Sequence, residues 1–199
     1  MNRFKIISLI AGLAVVLALP AAAAGAPGGK ALGHTLRFDV VQFAGDPGLT
    51  VFAGGTALSR DATTGDAVVL TGSGQAKPGQ GDAAGGGTFV HRHSNGVLVA
   101  QGVWIANSVA SWEQVDGTLV GAGLTDGIGH IDATAAGNLR LNVTLVPDGA
   151  GGSLTGVVTI HCQLIGSPET QQEGVSLDVG PFHFVPVHDE GFTLFHDLG

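Results

Sequence analysis

The chain has 199 residues, of which 34 are Gly and one is Cys, and its formal net charge at pH 7 is −8. This length allows one domain with a sizeable core and is too short for two. The acidic charge argues against nucleic acid and anionic membranes as partners. A single Cys cannot form an intrachain disulfide, so packing must supply the stability.

Residues 1–24 have the pattern of a secretory signal peptide. Arg3 and Lys5 give a positive start, residues 6–19 form an apolar run, and residues 22–24 are small. The apolar run is too short to span a bilayer unaided. We therefore predict a secreted protein, extracellular or periplasmic, with no membrane span after cleavage.

Residues 25–33 are predicted to be a flexible arm, and residues 34–199 a single all-β domain. Frequent Val, Thr and Gly, with no sustained apolar spacing of 3.6 residues, argue against helices. Two Gly-rich or polar stretches, 77–86 and 165–173, are predicted to be surface loops. The predicted strands lie near residues 35–43, 49–53, 67–75, 88–93, 97–106, 110–115, 118–121, 129–133, 139–146, 154–164, 174–179, 182–187 and 192–195.

So many short strands, separated by turn residues, predict either an antiparallel β-barrel or a two-sheet β-sandwich. Several strands are apolar on both faces, and Gly102 and Gly156 lie inside strands, where Gly permits strong coiling. These features favour the antiparallel barrel. A small barrel is either filled by its own side chains or holds one small ligand, and both interpretations stay open.

The clearest hairpin signal is Asn95-Gly96, which is typical of a two-residue type I′ turn. That turn places Phe89 opposite Gly102 and His91 opposite Ala100. Because side chains alternate along a strand, one face then carries the residues that we predict to bind a ligand. They are Phe89, His91, His93 and Trp104. A carrier of apolar ligands would need a cavity beside Trp104.

The same histidines suggest a divalent metal site. His91 and His93 are two residues apart on one face, a spacing at which two imidazoles can share zinc or copper. His183 and His188, in the C-terminal strands, are the candidates to complete the set. The competing interpretation is that histidines near a hairpin tip are solvated or packed.

Cys162 lies in the apolar strand pattern of residues 154–164 and is predicted to be a small buried side chain. The alternatives are a metal thiolate or an intermolecular disulfide. The sequence contains no G-x-S-x-G motif and no other nucleophile constellation, so no catalytic residue is assigned.

Four runs resemble a group of small secreted bacterial all-β proteins of unassigned function. They are GGGTFVH at 85–91, GVW at 102–104, VVTIHCQLIG at 157–166 and EGVSLDVGPFHF at 173–184. The resemblance implies a fold and no activity. Gly85 followed by His91-x-His93 is also similar to the opening of the cupin metal-binding motif, but this chain lacks its Glu.

The sequence therefore favours a secreted, non-enzymatic barrel protein with a binding or structural role, its partner a small apolar molecule or a protein. The alternative is a cupin-like metal-dependent enzyme that uses His91 and His93. Metal content and the convergence of the histidines would separate the two hypotheses.

Overall fold

The computed structural model describes residues 34–45, 48–149 and 151–199. The predicted signal peptide and flexible arm, and two residues of the turn at 46–48, lie outside this part. Within the described residues, one 3-10 helix, Ile131–Ala133, accompanies the strands. The strands are β1 (Leu36–Ala44), β2 (Thr50–Ala53), β3 (Ala57–Asp61), β4 (Ala67–Leu70), β5 (Ser73–Lys77), β6 (Asp82–Arg92), β7 (Leu98–Val115), β8 (Thr125–Asp126), β9 (Thr134–Pro147), β10 (Leu154–Cys162), β11 (Gly174–Val179), β12 (Phe182–Pro186) and β13 (Phe192–Asp197).

Ten of these strands close into an antiparallel β-barrel. Their order is β1-β5-β6-β4-β3-β12-β11-β10-β9-β13, and β13 pairs again with β1. The long β7 lies between β6 and β9 and pairs with both. β2 pairs with the end of β1, and β8 pairs with β2 in parallel. The predicted all-β antiparallel barrel is confirmed, because the sheet closes on itself.

The glycine run in β6 lets this strand change partners along its length. β6 pairs first with β5 and then, past the run, with β4. Gly85 has a φ of 131°, which favours Gly. A Cβ on Gly87 would lie 1.9 Å from the carbonyl oxygen of Thr71. Residues 77–86, predicted to be a loop, therefore form most of a β5–β6 hairpin, which depends on backbone pairing and close approach rather than on an apolar pattern.

The strand predicted at 67–75 is two strands, β4 and β5, and β8 was not predicted. Further elements also differ from the prediction. β3 was not predicted, since the sequence ALSRD has no apolar alternation. The predicted strands at 97–106 and 110–115 are one strand, β7, bent by two irregularities in its pairing with β9. The predicted strands at 118–121 and 129–133 do not form; the segment contains an isolated bridge at Thr118 and the 3-10 helix instead.

Aromatic side chains fill the inside of the barrel. The Trp104 and Phe38 rings stack with centroids 6.4 Å apart, and Trp112 meets Phe195 edge to face at 4.9 Å. Phe38, Trp104 and Phe195 are buried. Burying one side chain of this size contributes about 1.5–3 kcal/mol, so these rings are a large part of what stabilises the barrel.

Strands β1 and β13 are buried on both faces. Phe38 and Phe195 point into the barrel, whereas the buried side chains of Asp39, Leu194 and His196 are on the outer face. This outer face is covered by residues 117–133, which we call the flap. Buried or half-buried apolar side chains of the flap, among them Leu119, Leu124, Ile128 and Ile131, pack against the core.

Candidate binding site

The hairpin formed by β6 and β7 has the predicted register as far as His91. Phe89 lies opposite Gly102, and His91 lies opposite Ala100. Phe89, His91 and Trp104 are all buried, so the face predicted from the sequence is the inner face of the barrel. The hydrophobic alternation was sufficient to predict this part of the sheet.

The tip of the hairpin differs from the prediction. The pairing shifts after His91, and the His93 N–H then donates to the carbonyl oxygen of Val97. Gly96 has a φ of 85°, but Asn95 does not have a positive φ, which a type I′ turn would require. Residues 94–96 therefore form a three-residue loop with a bulge at Gly96. Asn95-Gly96 is compatible with either turn.

The two hairpin histidines both contact one carboxylate, that of Asp66. Nε2 of His91 and Nδ1 of His93 each lie 3.1 Å from its Oδ2, and the Ser94 N–H donates to its Oδ1. Burial opposes ionisation of Asp66, but the hydrogen bonds from His93 and His91 bring its pKa below the ordinary value. The carboxylate is thus ionised and accepts from both imidazoles, so it holds the hairpin tip to the loop before β4.

Asp61 holds the same loop from its other side. Its Oδ1 accepts the N–H groups of Thr63 and Thr64, and its Oδ2 accepts the N–H of His183. These hydrogen bonds, with that from His183 the largest, lower the pKa of Asp61 to about 2. Asp61 and Asp66 are therefore structural acceptors that fix turns.

The structure does not bring the four predicted metal ligands together. The His183 imidazole pairs with Asp178, and His188 is almost fully exposed beside Asp189. Only His91 and His93 are close, with ring centroids 6.3 Å apart. Within residues 34–45, 48–149 and 151–199, no group of three His, Cys, Asp or Glu side chains could hold a metal ion. The contacts that these two histidines make are hydrogen bonds to Asp66 and, for His91, packing against Phe184.

The space beside Trp104 is filled. Its indole N–H donates to the carbonyl oxygen of Thr71 at 2.8 Å. A Cβ on Gly72 would lie 2.4 Å from the Trp104 ring, and one on Gly74 would lie 2.6 Å from Phe38. Of the residues predicted to bind a ligand, Phe89, His91 and Trp104 are buried, and His93 is half exposed at the rim.

An apolar cleft lies elsewhere, between the flap and the outer face of β1 and β13. Its volume is about 210 Å³. Val41, Leu194 and Phe192 line it on the sheet side, and Leu119 and Leu124 line it on the flap side. More than a third of the Phe192 surface is exposed, so the cleft opens to solvent. The flap is long enough to cover the sheet but leaves this space unfilled.

Glu173 is the ionisable residue that lines the cleft. One carboxylate oxygen, Oε1, accepts the N–H of Thr193 at 2.5 Å, and Oε2 accepts the N–H of Gln163 at 2.5 Å. Oε1 also lies 3.1 Å from the Thr193 hydroxyl. No Lys, Arg or His is among the lining residues, and no described residue forms an ion pair with Glu173.

These surroundings raise the pKa of Glu173 to about 7. Burial is the main cause, and the hydrogen bonds from Gln163 and Thr193 oppose it only in part. The Thr193 hydroxyl lies within donating distance of two acceptors, the carbonyl oxygen of His161 at 2.6 Å and Oε1 of Glu173 at 3.1 Å, and has one proton for both. Oε1 therefore receives this proton only in part, and an ionised Glu173 keeps acceptor capacity for a further donor.

A buried pair anchors the flap next to the cleft. Nε2 of His196 lies 2.7 Å from Oδ2 of Asp126, and both side chains are almost fully buried. Oδ1 of Asp126 accepts the N–H groups of Ile128 and Gly129. Burial opposes ionisation of Asp126, but the His196 hydrogen bond brings its pKa below the ordinary value. The other His196 nitrogen, Nδ1, is buried without a partner among the described residues.

Cys162 is buried and free, as the strand pattern predicted. Its thiol donates to the carbonyl oxygen of Thr193 at 3.3 Å. Burial, with a smaller effect from the nearby Glu173, raises the pKa of the thiol well above its ordinary value. A neutral, enclosed thiol is a poor nucleophile and a poor metal ligand.

Sequence reasoning missed the cleft and its single carboxyl. The flap has a detectable signal, since Leu119, Leu124, Ile128 and Ile131 are spaced through a Gly-rich stretch that a solvated loop would not need. Glu173 has none, because a Glu between two strands is ordinarily a surface residue. Only the approach of β13 to the end of β10 buries it.

Comparison with known proteins adds no relative. No protein-family model matches the chain, and neither a curated protein nor a solved structure is similar to it. Among the described residues, no helix has the length and apolar character needed to cross a membrane.

Proposed function

We propose that this chain is a secreted, non-enzymatic binding protein that holds a small apolar molecule in the cleft between the flap and strands β1 and β13. The observation that carries the proposal is the cleft itself, about 210 Å³ and lined mainly by apolar side chains. An apolar cavity of roughly 150 Å³ is sufficient for a benzene molecule. The cleft therefore fits a ligand of about one aromatic ring with a short substituent.

The ionisable groups around the fold favour binding over catalysis. Asp61 and Asp66 are used to fix turns, and Asp126 is used to anchor the flap. The thiol of Cys162 is enclosed. The alternative, a cupin-like metal-dependent enzyme that uses His91 and His93, is less favoured because both imidazoles contact Asp66.

Export from the cytoplasm is the remaining part of the proposal. It is supported by the positive start, apolar run and small residues within residues 1–24. A free thiol shielded by burial is compatible with an oxidising compartment. N-terminal sequencing of exported protein should find a start near residue 25, and an intact Met1 would contradict cleavage.

Titration with ethylbenzene, followed by ¹H–¹⁵N NMR, tests the cleft. We expect shifts of the amide signals of Leu119, Leu124 and Leu194, which line it. Ala122→Phe places a ring in the cleft from the flap and should remove the shifts. Ala110→Phe, on an exposed position of β7, is the matched control and should leave them unchanged.

Two outcomes of this titration would contradict binding in the cleft. If ethylbenzene shifts no cleft signal, or shifts the Ala122→Phe variant as much as the natural protein, the cleft is not a binding site. Shifts confined to residues around Trp104 would instead indicate the ligand position that was predicted from the sequence.

A further inference from the structure

We infer that the cleft selects a small primary amine with an apolar body, and that the Glu173 carboxylate is the group that binds its ammonium. This inference rests on the proposed function and specifies the chemistry of its ligand. The argument starts from the lining, in which Glu173 is the one ionisable residue.

The first step is the charge of the cleft. Glu173 is part of the lining, and no cation lies opposite it among the described residues. An ionised carboxylate that is largely removed from water without a cationic partner is unfavourable, and a ligand cation removes this cost. An anionic ligand would meet the same carboxylate with repulsion, and the lining offers no Lys or Arg to offset it.

The second step is the hydrogen-bonding geometry. An ammonium has three donors. Oε1 of Glu173 and the hydroxyl oxygen of Thr193 lie 3.1 Å apart, and the one Thr193 proton is shared between Oε1 and the carbonyl oxygen of His161. Both oxygens thus have acceptor capacity left, and both residues line the cleft. One ammonium placed between them satisfies the two acceptors together, which a hydroxyl ligand with one proton cannot do.

The third step is the apolar body. Around Glu173 the walls come from side chains such as Leu164, Leu194 and Phe192. These apolar side chains stabilise a bound alkyl or aryl group, and they have no donor or acceptor for a second polar group of the ligand. The structure therefore favours an arylalkylamine over a diamine or an amino acid.

Three ligands with a common aromatic ring test the inference by calorimetry at pH 8: phenethylamine, ethylbenzene and hydrocinnamate. We expect phenethylamine to bind about tenfold more tightly than ethylbenzene, since hydrogen bonds to a charged group have about this strength. Hydrocinnamate should bind more weakly than both. Glu173→Gln should lower the affinity for phenethylamine about tenfold and leave that for ethylbenzene nearly unchanged. Glu113→Gln, an exposed Glu on β7, is the matched control and should change neither.

Proton release gives a second measurement that needs no variant. At pH 6 Glu173 is mostly protonated, so binding phenethylamine should release about one proton to the buffer, and ethylbenzene should release none. The titratable side chain that faces Glu173 is Cys162, which stays neutral at this pH. His161 hydrogen-bonds Asn138 and Ser176 through its ring and not Glu173.

The outcomes separate the inference from the proposed function. If ethylbenzene binds as tightly as phenethylamine and no proton is released, the amine preference is wrong while the binding site stands. If hydrocinnamate binds most tightly, Glu173 does not select the ligand. If none of the three binds, the proposed function itself is wrong.

Discussion

The hairpin around His91 and the cleft beside Glu173 differ in how their surroundings use a carboxyl group. At the hairpin, both carboxylate oxygens of Asp66 are occupied, by two imidazoles and a backbone N–H. At the cleft, Glu173 receives backbone N–H groups but no cation. The histidines of the hairpin, which resemble site residues, form structural hydrogen bonds. The Glu173 carboxylate, which has no notable sequence signal, has no cationic partner and is available to a ligand.

The two regions also differ in how tightly they are packed: the hairpin side is closely packed, and the cleft under the flap is open. Beside the hairpin, Trp104 and Phe38 fill the interior against Gly72 and Gly74. Under the flap, the apolar side chains leave about 210 Å³ empty. Tight packing of a strand pair follows from regular pleating, whereas an irregular segment lying on a sheet rarely fills every space. Open space arises where the chain is least regular.

The largest expected effect is that of Trp104→Ala. If the interior beside Trp104 is as tightly filled as the close contacts indicate, the free energy of unfolding should fall by about 4 kcal/mol. Urea denaturation measures it. Val103→Ala, next to it on the exposed face of β7, is the control and should cost about 0.5 kcal/mol or less. A small loss for Trp104→Ala would mean that the barrel is hollow there.

The next effect is a pH dependence that separates the two carboxyls. Burial raises the pKa of Glu173 in the folded state to about 7 from its ordinary value of 4.5, so the folded state binds more protons and stability falls as pH rises from about 4.5 to 7. Burial and, secondarily, Arg140 lower the pKa of His161 to about 4, so stability rises with pH between about 4 and 6.5. The two contributions oppose each other in the natural protein.

Glu173→Gln should therefore reveal the His161 contribution, with stability rising by up to about 3 kcal/mol between pH 4 and 6.5. His161→Gln should show the reverse slope. Asp66→Asn should leave the slope above pH 5 unchanged, because the lowered pKa of Asp66 matters only below about pH 4. Urea midpoints at several pH values measure this, and parallel profiles for the three variants would contradict it.

The smallest effect compares the two aspartate–histidine contacts. Asp126→Asn puts an amide against Nε2 of His196, so the imidazole must move its proton to the buried, unpartnered Nδ1. We expect a loss of about 2 kcal/mol in the free energy of unfolding. Asp66→Asn should cost less than Asp126→Asn, since His93 is half exposed and water replaces the lost hydrogen bond. Equal losses would mean that burial does not distinguish the pairs.

Much of the fold could be predicted because it follows local rules. The register of β6 and β7 could be predicted because Phe89 and His91 alternate along one strand and small residues lie opposite them on the other. What failed depended on distant partners. β3 and the first half of β6 have little pattern of their own and are strands because neighbouring backbones pair with them. The turn type predicted at Asn95-Gly96 was wrong because this pair of residues is compatible with two types of turn.

The site was less predictable than the fold. His91 and His93 attracted attention by residue type, yet Asp66, twenty-five residues before His91, decides what they do. His183 is on β12 as expected, whereas His188 lies in the turn that follows, and the two pair with Asp178 and Asp189 close to them in sequence. Side-chain identity predicts what a residue is able to do, and its neighbours in space decide which ability is used.

The sequence by itself determined an all-β antiparallel barrel, a buried Cys162 and the inner face of the β6–β7 hairpin, because alternation and turn residues act over a few positions. Tertiary structure alone decided that the Trp104 ring packs against Phe38 and Gly72 and that a cleft lies under the flap. It also decided that Glu173 is half-buried there without a cation. These properties depend on how segments far apart in the chain meet, and no local pattern encodes the volume left between them.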